Sequence, residues 1–241
     1  MTDYKDVMEA NREYHNHHAK DYDKVTMKGN FQRVEDVFDE NKGGAFLDLG
    51  CGTGEQLKIA KKYFDPVYGI DCSEGMLAIA EKVTPNLTLG DVGELLYEDE
   101  KFDFINCFSV LHHLYDQEPA IREAFRVLKK GGVFYSDNDS NSEFYKWFSW
   151  WLTFRRKFLR TKHKYLDGKW EDIEKVAEYH QKKGLDPLKL KKQFEDAGFW
   201  KVRIIYHYPE HPDTFTKILK FKNKFLKSKA LYYYFSIIAT K

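Results

Sequence analysis

The sequence feature that most restricts the fold is a glycine-rich turn that joins an apolar segment to a helix-forming one. Residues 45–49 read Ala-Phe-Leu-Asp-Leu, a short buried strand, and the turn Gly50-Cys51-Gly52-Thr53-Gly54 follows at once. A helix is expected over residues 55–63. Glycines adopt backbone conformations that other residues resist, and without a Cβ they let a ligand approach the main chain. The unit predicts an α/β domain that binds a nucleotide-like ligand at the end of its first strand.

Strands and helices continue to alternate after this turn, which favours βαβ units and a parallel sheet with right-handed crossovers. Strands are expected at 67–71, 87–91, 102–107 and 133–137, and helices at 73–83 and 117–129. Ser73 and Asp116 are the expected helix N-caps, and Gly131-Gly132 the expected stop of the second helix. A further helix begins at Asp186-Pro187, and the last strands are expected at 201–207 and 231–240.

The charge of the chain is divided unevenly along its length. Residues 1–145 contain 16 Lys and Arg against 28 Asp and Glu, whereas residues 146–241 contain 23 against 10. The acidic part and the basic part are therefore expected to have different roles. A total of 241 residues suits a single domain.

Three features of the sequence indicate the cellular compartment, namely the cysteines, the apolar runs and the N-terminal segment. Cys51, Cys72 and Cys107 cannot all pair with one another, and none lies in a cluster with metal-ligand spacing. No apolar run is as long as a membrane span, and residues 1–23 lack the apolar core of a secretory signal. We expect a cytoplasmic protein with reduced thiols and no metal site.

The spacing of the glycines and the carboxylates that follow indicate the ligand. A dinucleotide fingerprint needs GxGxxG, but here the third glycine comes one residue early and Glu55 takes its place, which argues against nicotinamide and flavin cofactors. Asp71 ends the second strand, where a carboxylate can accept hydrogen bonds from both hydroxyls of a ribose. Asp91 ends the third strand, placed to bind the amine of an adenine, with Val92 and Met76 packing on the ring.

These motifs, taken in order, resemble those of the class I S-adenosylmethionine (AdoMet)-dependent methyltransferases. The resemblance is carried by residues 47–54, 69–73, 90–91, 102–103 and 108–114. It is strong over 44–137 and looser over 186–207. It implies a Rossmann-like, doubly wound, seven-stranded α/β sheet in the order 3-2-1-4-5-7-6, mostly parallel, with the last strand antiparallel. On this basis residues 1–241 are expected to form one domain, with a helical arm at 1–43, a cofactor-binding half at 44–137 and insertions at 138–185 and 208–230.

The resemblance also implies roles for individual residues, with AdoMet as cofactor and S-adenosylhomocysteine (AdoHcy) as product. Asp48 would orient the glycine turn, while Gly50 and Gly52 would face the amino acid part of the cofactor. Cys107 and Phe108 would line the path to the sulfonium. The full set of expected cofactor residues is Asp48, Gly50, Cys51, Gly52, Thr53, Gly54, Asp71, Cys72, Met76, Asp91, Val92, Cys107, Phe108 and Tyr22. For Cys51 and Cys72 we prefer the interpretation that small side chains fill tight turns, over any redox role.

The acceptor is indicated less directly. Methyl transfer from a sulfonium is an in-line displacement, so the protein mainly aligns donor and acceptor and excludes water. An oxygen or carbon acceptor usually needs a base as well. The fourth strand ends in Asn106-Cys107-Phe108-Ser109, and not in the Asn/Asp-Pro-Pro-Tyr/Phe motif that similar enzymes use for planar amines. Adenine-type and glutamine-amide acceptors are therefore disfavoured.

Two histidines follow the fourth strand, at the edge where doubly wound folds bind ligands. His113 is the candidate base or acceptor-orienting group, with His112 beside it; the alternative is that both only fill the loop-to-helix connection. Tyr14, His15, His17, His18 and Tyr22 in the arm could close over the sulfonium and partner His113, but such residues more often form a solvated helix face. Tyr22, in Tyr22-Asp23, resembles a family position near the cofactor.

The two insertions are aromatic and basic, and both should emerge above the active site. The residues concerned are Phe144, Tyr145, Trp147, Phe148, Trp150, Trp151, Leu152, Phe154, Arg155, Arg156 and Lys157 in the first, and Phe215, Ile218, Phe221 and Phe225 among lysines in the second. They could wall a pocket for a hydrophobic or anionic small molecule, lie on an anionic membrane, or contact RNA. Burial as ordinary core is as good an interpretation as any of these. The aromatics form one block, so we rank the pocket first, the membrane second and nucleic acid third.

The leading hypothesis is an enzyme that methylates O or N of a small-molecule acceptor. The alternatives are a lipid- or RNA-directed methyltransferase, and a protein that binds AdoMet or AdoHcy without catalysis. The sequence carries no signal for an oligomeric state.

Overall fold

The computed structural model describes residues 3–25, 31–158, 173, 176–177, 183–208, 217, 219–220, 222–223 and 228–241, with backbone alone for 21–25 and 151–158. Its helices are α1 (Tyr4–Val25), α2 (Gln32–Glu40), α3 (Glu55–Ala60), α4 (Glu74–Ala80), α5 (Glu118–Val127), α6 (Ser142–Phe158) and α7 (Pro187–Asp196). Its strands are β1 (Phe46–Leu49), β2 (Val67–Asp71), β3 (Leu87–Leu89), β4 (Phe102–Phe108), β5 (Leu128–Ser140), β6 (Trp200–His207) and β7 (Tyr234–Thr240).

The strands form a seven-stranded sheet in the order β3-β2-β1-β4-β5-β7-β6. Strand β1 lies in the interior of the sheet and pairs in parallel with β2 and β4, with Phe46 level with Val67 on one side and Phe104 on the other. Strand β7 runs antiparallel between β5 and β6. The predicted fold class and strand order are confirmed, while the expected division of residues 1–241 into arm, cofactor half and insertions stays a prediction.

Alternating side chains of the central strands supply the cores on the two faces of the sheet. Phe46 and Phe104 stack on neighbouring strands at 5.8 Å, and Phe38 of α2 contacts both rings at 5.2 and 5.5 Å. The next residue along each strand, Leu47 and Ile105, belongs to a separate cluster with α5 and α7. Helices therefore cover the hydrophobic cluster on each face of the sheet. Helix α2, which belongs to the predicted arm, is part of one of these clusters.

Most predicted helix starts agree with the structure, whereas α3 and α4 each end three residues earlier than expected. Ser73 caps α4, and Asp186 caps α7 by accepting hydrogen bonds from two backbone N–H groups. In contrast, Asp116 is not the cap of α5, which begins after Gln117. The expected stop at Gly131-Gly132 was also wrong, because Leu128 already takes an extended backbone, buries its side chain and starts β5 opposite β4.

The described aromatics of the first insertion divide into buried and exposed members. Phe144 and Tyr145 of α6 are buried in a cluster with Leu219, as the core interpretation expects. Trp147 and Trp150 are exposed. The side chains from 151 to 158, and the aromatics at 215, 218, 221 and 225, lie outside the described residues. Within the described ranges no helix has the length and apolar character needed to cross a membrane.

A buried polar cluster joins α2 to β5, β6 and β7 at the carboxyl end of β5. Asp137 accepts hydrogen bonds from Arg33 Nε at 2.9 Å, Tyr135 Oη at 2.6 Å and Ser236 Oγ at 2.8 Å, and it lies 2.9 Å from His207 Nε2. Burial alone would raise the pKa of Asp137, but the hydrogen bonds and charges of His207 and Arg33 hold it well below its ordinary range.

We expect Asp137→Asn to lower the free energy of unfolding by about 3 kcal/mol at neutral pH, because Arg33 loses its buried counter-charge. Urea denaturation followed by circular dichroism measures this. The control is Asp39→Asn, which removes an exposed ion pair with Lys42 and should change stability by no more than about 0.5 kcal/mol.

The same pair of proteins should respond differently to acid. A depressed pKa means that the Asp137 carboxylate contributes its full stabilisation above about pH 4, and that this contribution is lost as the pH falls further. The stability difference between wild type and Asp137→Asn should therefore shrink below pH 4. A difference that stays constant down to pH 2 would contradict this assignment.

Candidate active site

The glycine turn after β1 needs glycine at two positions for different reasons. Gly50 has φ +65°, and a Cβ there would lie 2.5 Å from Val110 Cγ2. Gly52 has φ +52°, and a Cβ there would meet no atom within 4 Å, because this residue borders an open pocket. The turn thus packs tightly on one side and leaves its backbone accessible on the other.

The pocket lies at the carboxyl edge of the sheet, beneath α1, and has about 900 Å³ of empty volume, part of it open to solvent. Its lining comprises Met8, Asn11, His15, Asp48, Gly50, Cys51, Gly52, Thr53, Glu55, Gln56, Asp71, Cys72, Met76, Gly90, Asp91, Val92, Phe108, Ser109, Val110, His113 and Leu114.

Two carboxylates at neighbouring strand ends border one end of this pocket. Asp71 accepts hydrogen bonds from the backbone N–H groups of Gly52 at 2.8 Å and Ser73 at 2.9 Å. Asp91 accepts one from Gly93 N at 2.8 Å and another from the hydroxyl of Tyr4. Burial raises the pKa of both carboxyls. Asp71 therefore fastens the glycine turn of β1 to the end of β2.

Asp48 is the most buried carboxyl in the pocket wall, with 1% of its surface exposed. One oxygen accepts a hydrogen bond from Asn106 Nδ2 at 2.8 Å, and the other has no hydrogen-bond partner among the described residues. Burial raises its pKa to about 7, against the lowering effect of Asn106 and with a further increase from the charge of Asp71. An unsatisfied buried carboxylate oxygen beside a second carboxylate favours a ligand that brings positive charge or N–H donors.

His113 borders the other end of the pocket as a neutral imidazole. Its Nδ1 lies 3.1 Å from the carbonyl oxygen of Ala177. A carbonyl only accepts, so Nδ1 carries the proton and Nε2 has the free lone pair. Burial and the nearby histidines lower the pKa of His113 well below its ordinary value. The ring of His15 lies 5.3 Å away, and burial lowers the pKa of His15 to about 4.

Hydrogen bonds hold helix α1 over the pocket at three points along its length. Near its start, the hydroxyl of Tyr4 donates to Asp91. In the middle, Asn11 Nδ2 donates to the backbone carbonyl of His113 at 3.1 Å. Further on, Asn16 Oδ1 accepts hydrogen bonds at 2.8 Å from a hydroxyl and a backbone N–H at the start of α4. The helix therefore covers both ends of the pocket.

Most of the predicted site residues come together in this pocket. Those that line it are Asp48, Gly50, Cys51, Gly52, Thr53, Asp71, Cys72, Met76, Asp91, Val92, Phe108 and His113. Their individual roles stay predictions.

Four of the predicted residues whose side chains are described do not line the pocket. Gly54 precedes α3, and a Cβ there would lie 3.3 Å from Ala80 at the end of α4 and 3.1 Å from Val83 beyond it. Cys107 is buried, and His112 is buried with its Nδ1 3.0 Å from Asp139 Oδ1. Tyr14 contacts the rings of His15 and His18 on its own helix. The side chain of Tyr22 lies outside the described residues.

The lining also contains residues that sequence reasoning did not assign to the site. Met8 and Asn11 of α1 are the clearest examples, and His15 had been grouped with its neighbours without a separate role. A signal existed: Tyr4, Met8, Asn11 and His15 are four, three and four residues apart, the spacing of one helix face. A helix with a mixed polar and apolar face of this kind contacts a partly polar cavity.

Comparisons with known proteins agree with this geometry. A family model described as a methyltransferase domain matches residues 47–136. An uncharacterised protein of Methanocaldococcus jannaschii is 38% identical over 129 residues, which cover 51% of this chain and 49% of that protein. Demethylmenaquinone methyltransferase of Staphylococcus aureus is 29% identical over 209 residues, covering 77% of this chain and 83% of that protein.

A solved structure extends the likeness to the whole fold. Phosphoethanolamine N-methyltransferase 2 of Haemonchus contortus, in complex with S-adenosyl-L-methionine, gives a TM-score of 0.64 at 16% identity, covering 100% of this chain and 60% of that one.

The first curated relatives are matched over half of their length or less, namely 49%, 30% and 46%. Residues 47–136 therefore carry a methyltransferase domain, and the chain has the fold of the class I AdoMet-dependent methyltransferases. AdoMet is the cofactor of this class.

We expect the affinity for AdoHcy to rise about tenfold between pH 6 and pH 8, because the ionised form of Asp48 attracts the ligand's ammonium group and its pKa is about 7. Isothermal titration calorimetry across this range measures the effect. In Asp48→Asn the affinity should be lower and independent of pH.

Asp99→Asn serves as the matched control, since Asp99 is an exposed partner of Arg126 and does not line the pocket. It should keep both the affinity and the pH dependence of the wild type. A pH dependence that persists in Asp48→Asn would assign it to another group.

Proposed function

We propose that the protein transfers the methyl group of AdoMet to an oxygen or nitrogen of a small-molecule acceptor. The observation that carries this proposal is the composition of one covered pocket. Carboxylates and glycine backbone lie at one end, and a neutral imidazole with a free Nε2 lone pair lies at the other. Both ends lie under α1, so a donor and an acceptor bound there are held together and shielded from water.

The pocket has the features that AdoMet needs. Asp71 and Asp91 end neighbouring strands and suit the ribose and adenine, and the apolar side chains of Met76 and Val92 can pack on the base. The unsatisfied oxygen of Asp48 and the open face of Gly52 suit the amino acid part. When bound, AdoMet supplies an electrophilic methyl group on a sulfonium.

His113 is the candidate base. As the acceptor's oxygen or nitrogen forms its bond to the methyl group, it loses a proton, and Nε2 is the atom that accepts it. The hydrogen bond from Nδ1 to the carbonyl of Ala177 at 3.1 Å fixes the tautomer and the direction of the ring. The lowered pKa keeps the ring unprotonated, so the lone pair is available at neutral pH. For an amine acceptor, the same lone pair orients the N–H and keeps the nitrogen nucleophilic.

A small acceptor is supported by the cover over the pocket. A polymer would have to insert a side chain or base beneath α1, which is held at Asp91, at His113 and at the start of α4. The relatives' names leave the acceptor class open, since one acts on demethylmenaquinone and another on phosphoethanolamine. The similarity to demethylmenaquinone methyltransferase favours a lipid-like acceptor as the second candidate.

The compartment stays a prediction. Cys51, Cys72 and Cys107 are free thiols, as expected for a protein of the reducing cytoplasm.

The direct test incubates the purified protein with radiolabelled AdoMet and separate acceptor pools: polar amines and phosphorylated small molecules, lipid extracts, total RNA, and cell protein. Label in a small-molecule or lipid fraction, with stoichiometric AdoHcy, is the expected result. Label confined to RNA or protein would overturn the proposed acceptor. Tight AdoMet binding without label in any pool would favour a protein that binds the cofactor without catalysis.

With an acceptor in hand, His113→Ala should reduce kcat about a hundredfold or more, because the proton has no positioned acceptor. The affinity for AdoHcy should stay within about threefold of the wild type, since His113 borders the end of the pocket away from Asp71 and Asp91. Exposed His17 on α1 provides the control, and His17→Ala should leave both quantities unchanged. Equal losses of turnover and cofactor affinity in His113→Ala would make this residue structural.

A further inference from the structure

We propose that α6 docks the protein on an anionic membrane surface through exposed tryptophans. Trp147 and Trp150 are 66% and 63% exposed, the largest values for any aromatic side chain in the described part of the chain. They lie three residues apart in α6, on either side of a kink at Phe148, whose φ is −121° and ψ is 15°. Indole rings prefer the boundary between headgroups and acyl chains, where an apolar ring with a polar N–H is well solvated.

The exposure of these tryptophans is maintained by the packing of their neighbours. Phe144 is 1% exposed and its ring lies 4.9 Å from that of Tyr233. Tyr145 is 6% exposed, and its hydroxyl lies 3.0 Å from the hydroxyl of Tyr233, the residue before β7. These contacts fix the first turns of α6 against the sheet, so the apolar side of α6 that faces inward is already filled. Trp147 and Trp150, which remain exposed, are the side chains that we assign to the bilayer.

The excess of positive charge in this part of the chain favours an anionic bilayer as the partner. Residues 146–241 carry 23 Lys and Arg against 10 Asp and Glu, and the sequence places Arg155, Arg156 and Lys157 in the last turn of α6. Glu143 is the one acidic residue in the sequence of α6, and it pairs with Lys146 at 2.5 Å. Basic residues near the surface of an anionic leaflet each strengthen binding about fivefold. The aromatics form a block and do not alternate with the basic residues, which favours a membrane over a nucleic acid strand.

The position of α6 places its exposed tryptophans at the same edge of the sheet as the pocket. Helix α6 follows the carboxyl end of β5, and the pocket lies at the carboxyl ends of β1 to β4, so both are at the same edge of the sheet. A protein docked through α6 would hold this edge close to the bilayer. The inference goes beyond the proposed function, because docking requires neither an acceptor nor methyl transfer.

The first experiment is flotation of the purified full chain with phosphatidylcholine vesicles and with vesicles that contain one anionic phosphatidylglycerol for every two phosphatidylcholines. The protein should float with the anionic vesicles and show a blue shift of tryptophan fluorescence, and added salt should weaken the association. No flotation with anionic vesicles, or equal flotation with neutral ones, would overturn the proposal. Preferential binding to a homopolymer RNA in the same buffer would overturn it in favour of a nucleic acid partner.

The decisive variant is Trp147→Ser/Trp150→Ser, which should reduce the partition coefficient to anionic vesicles about tenfold or more. Trp200→Ser is the matched control: Trp200 is 51% exposed but begins β6 at the opposite edge of the sheet, where Lys201 Nζ lies over its ring at 4.1 Å. It should bind vesicles like the wild type. Equal losses in both variants would overturn the assignment to α6.

A charge variant keeps the test valid if the tryptophan variant folds poorly. Arg155→Gln/Arg156→Gln/Lys157→Gln should lose about fivefold in vesicle affinity for each charge removed and should depend less on salt. Thermal unfolding and AdoHcy affinity, both expected to match the wild type, verify that the fold and the cofactor site are intact. Unchanged vesicle affinity in this variant would contradict the electrostatic part of the proposal. Failure of the acceptor assay would leave these vesicle results unaffected.

Discussion

The hydrogen bond between the Asp71 carboxylate and the backbone N–H of Gly52 is the contact on which the site depends. It measures 2.8 Å and joins the turn after β1 to the end of β2. The other oxygen of Asp71 accepts from Ser73, whose hydroxyl in turn caps α4. One buried carboxylate thus sets the left-handed turn, the start of the next helix and the floor of the pocket. A side chain with fewer acceptor atoms could not hold all three.

The fold was predictable because strands and helices in this chain have strong local signals. The parallel half is defined by apolar strands that end in glycine or aspartate, and Ser73 and Asp186 mark helix starts as their side-chain chemistry dictates. The boundary between α5 and β5 was not predictable, since Leu128 suits a helix and a strand equally well. It is pairing with β4, a contact between residues distant in the sequence, that makes it a strand.

The residues that form the floor of the candidate site were predictable from the sequence, whereas the α1 residues that cover it were less so. The positions of the glycines and of the carboxylates near strand ends follow from the local sequence. The position of α1 over the pocket depends on contacts between residues distant in the sequence. Asn11 illustrates this, because its hydrogen bond to the carbonyl of His113 joins residues 102 positions apart. His112 and His113 illustrate it again, because adjacent and chemically identical side chains face different surroundings, a buried carboxylate for one and the pocket for the other.

The fastening of α1 at both ends of the pocket has a thermodynamic consequence. Tyr4 reaches the carboxylate placed for the adenine, and His15, on the same uninterrupted helix, faces His113 at the acceptor end. A rigid helix transmits a shift at one end to the other, so occupancy of the two ends is energetically coupled. By linkage, a cofactor that tightens α1 improves acceptor affinity by the same factor that the acceptor improves cofactor affinity. The donor and the acceptor would then each bind more tightly in the presence of the other.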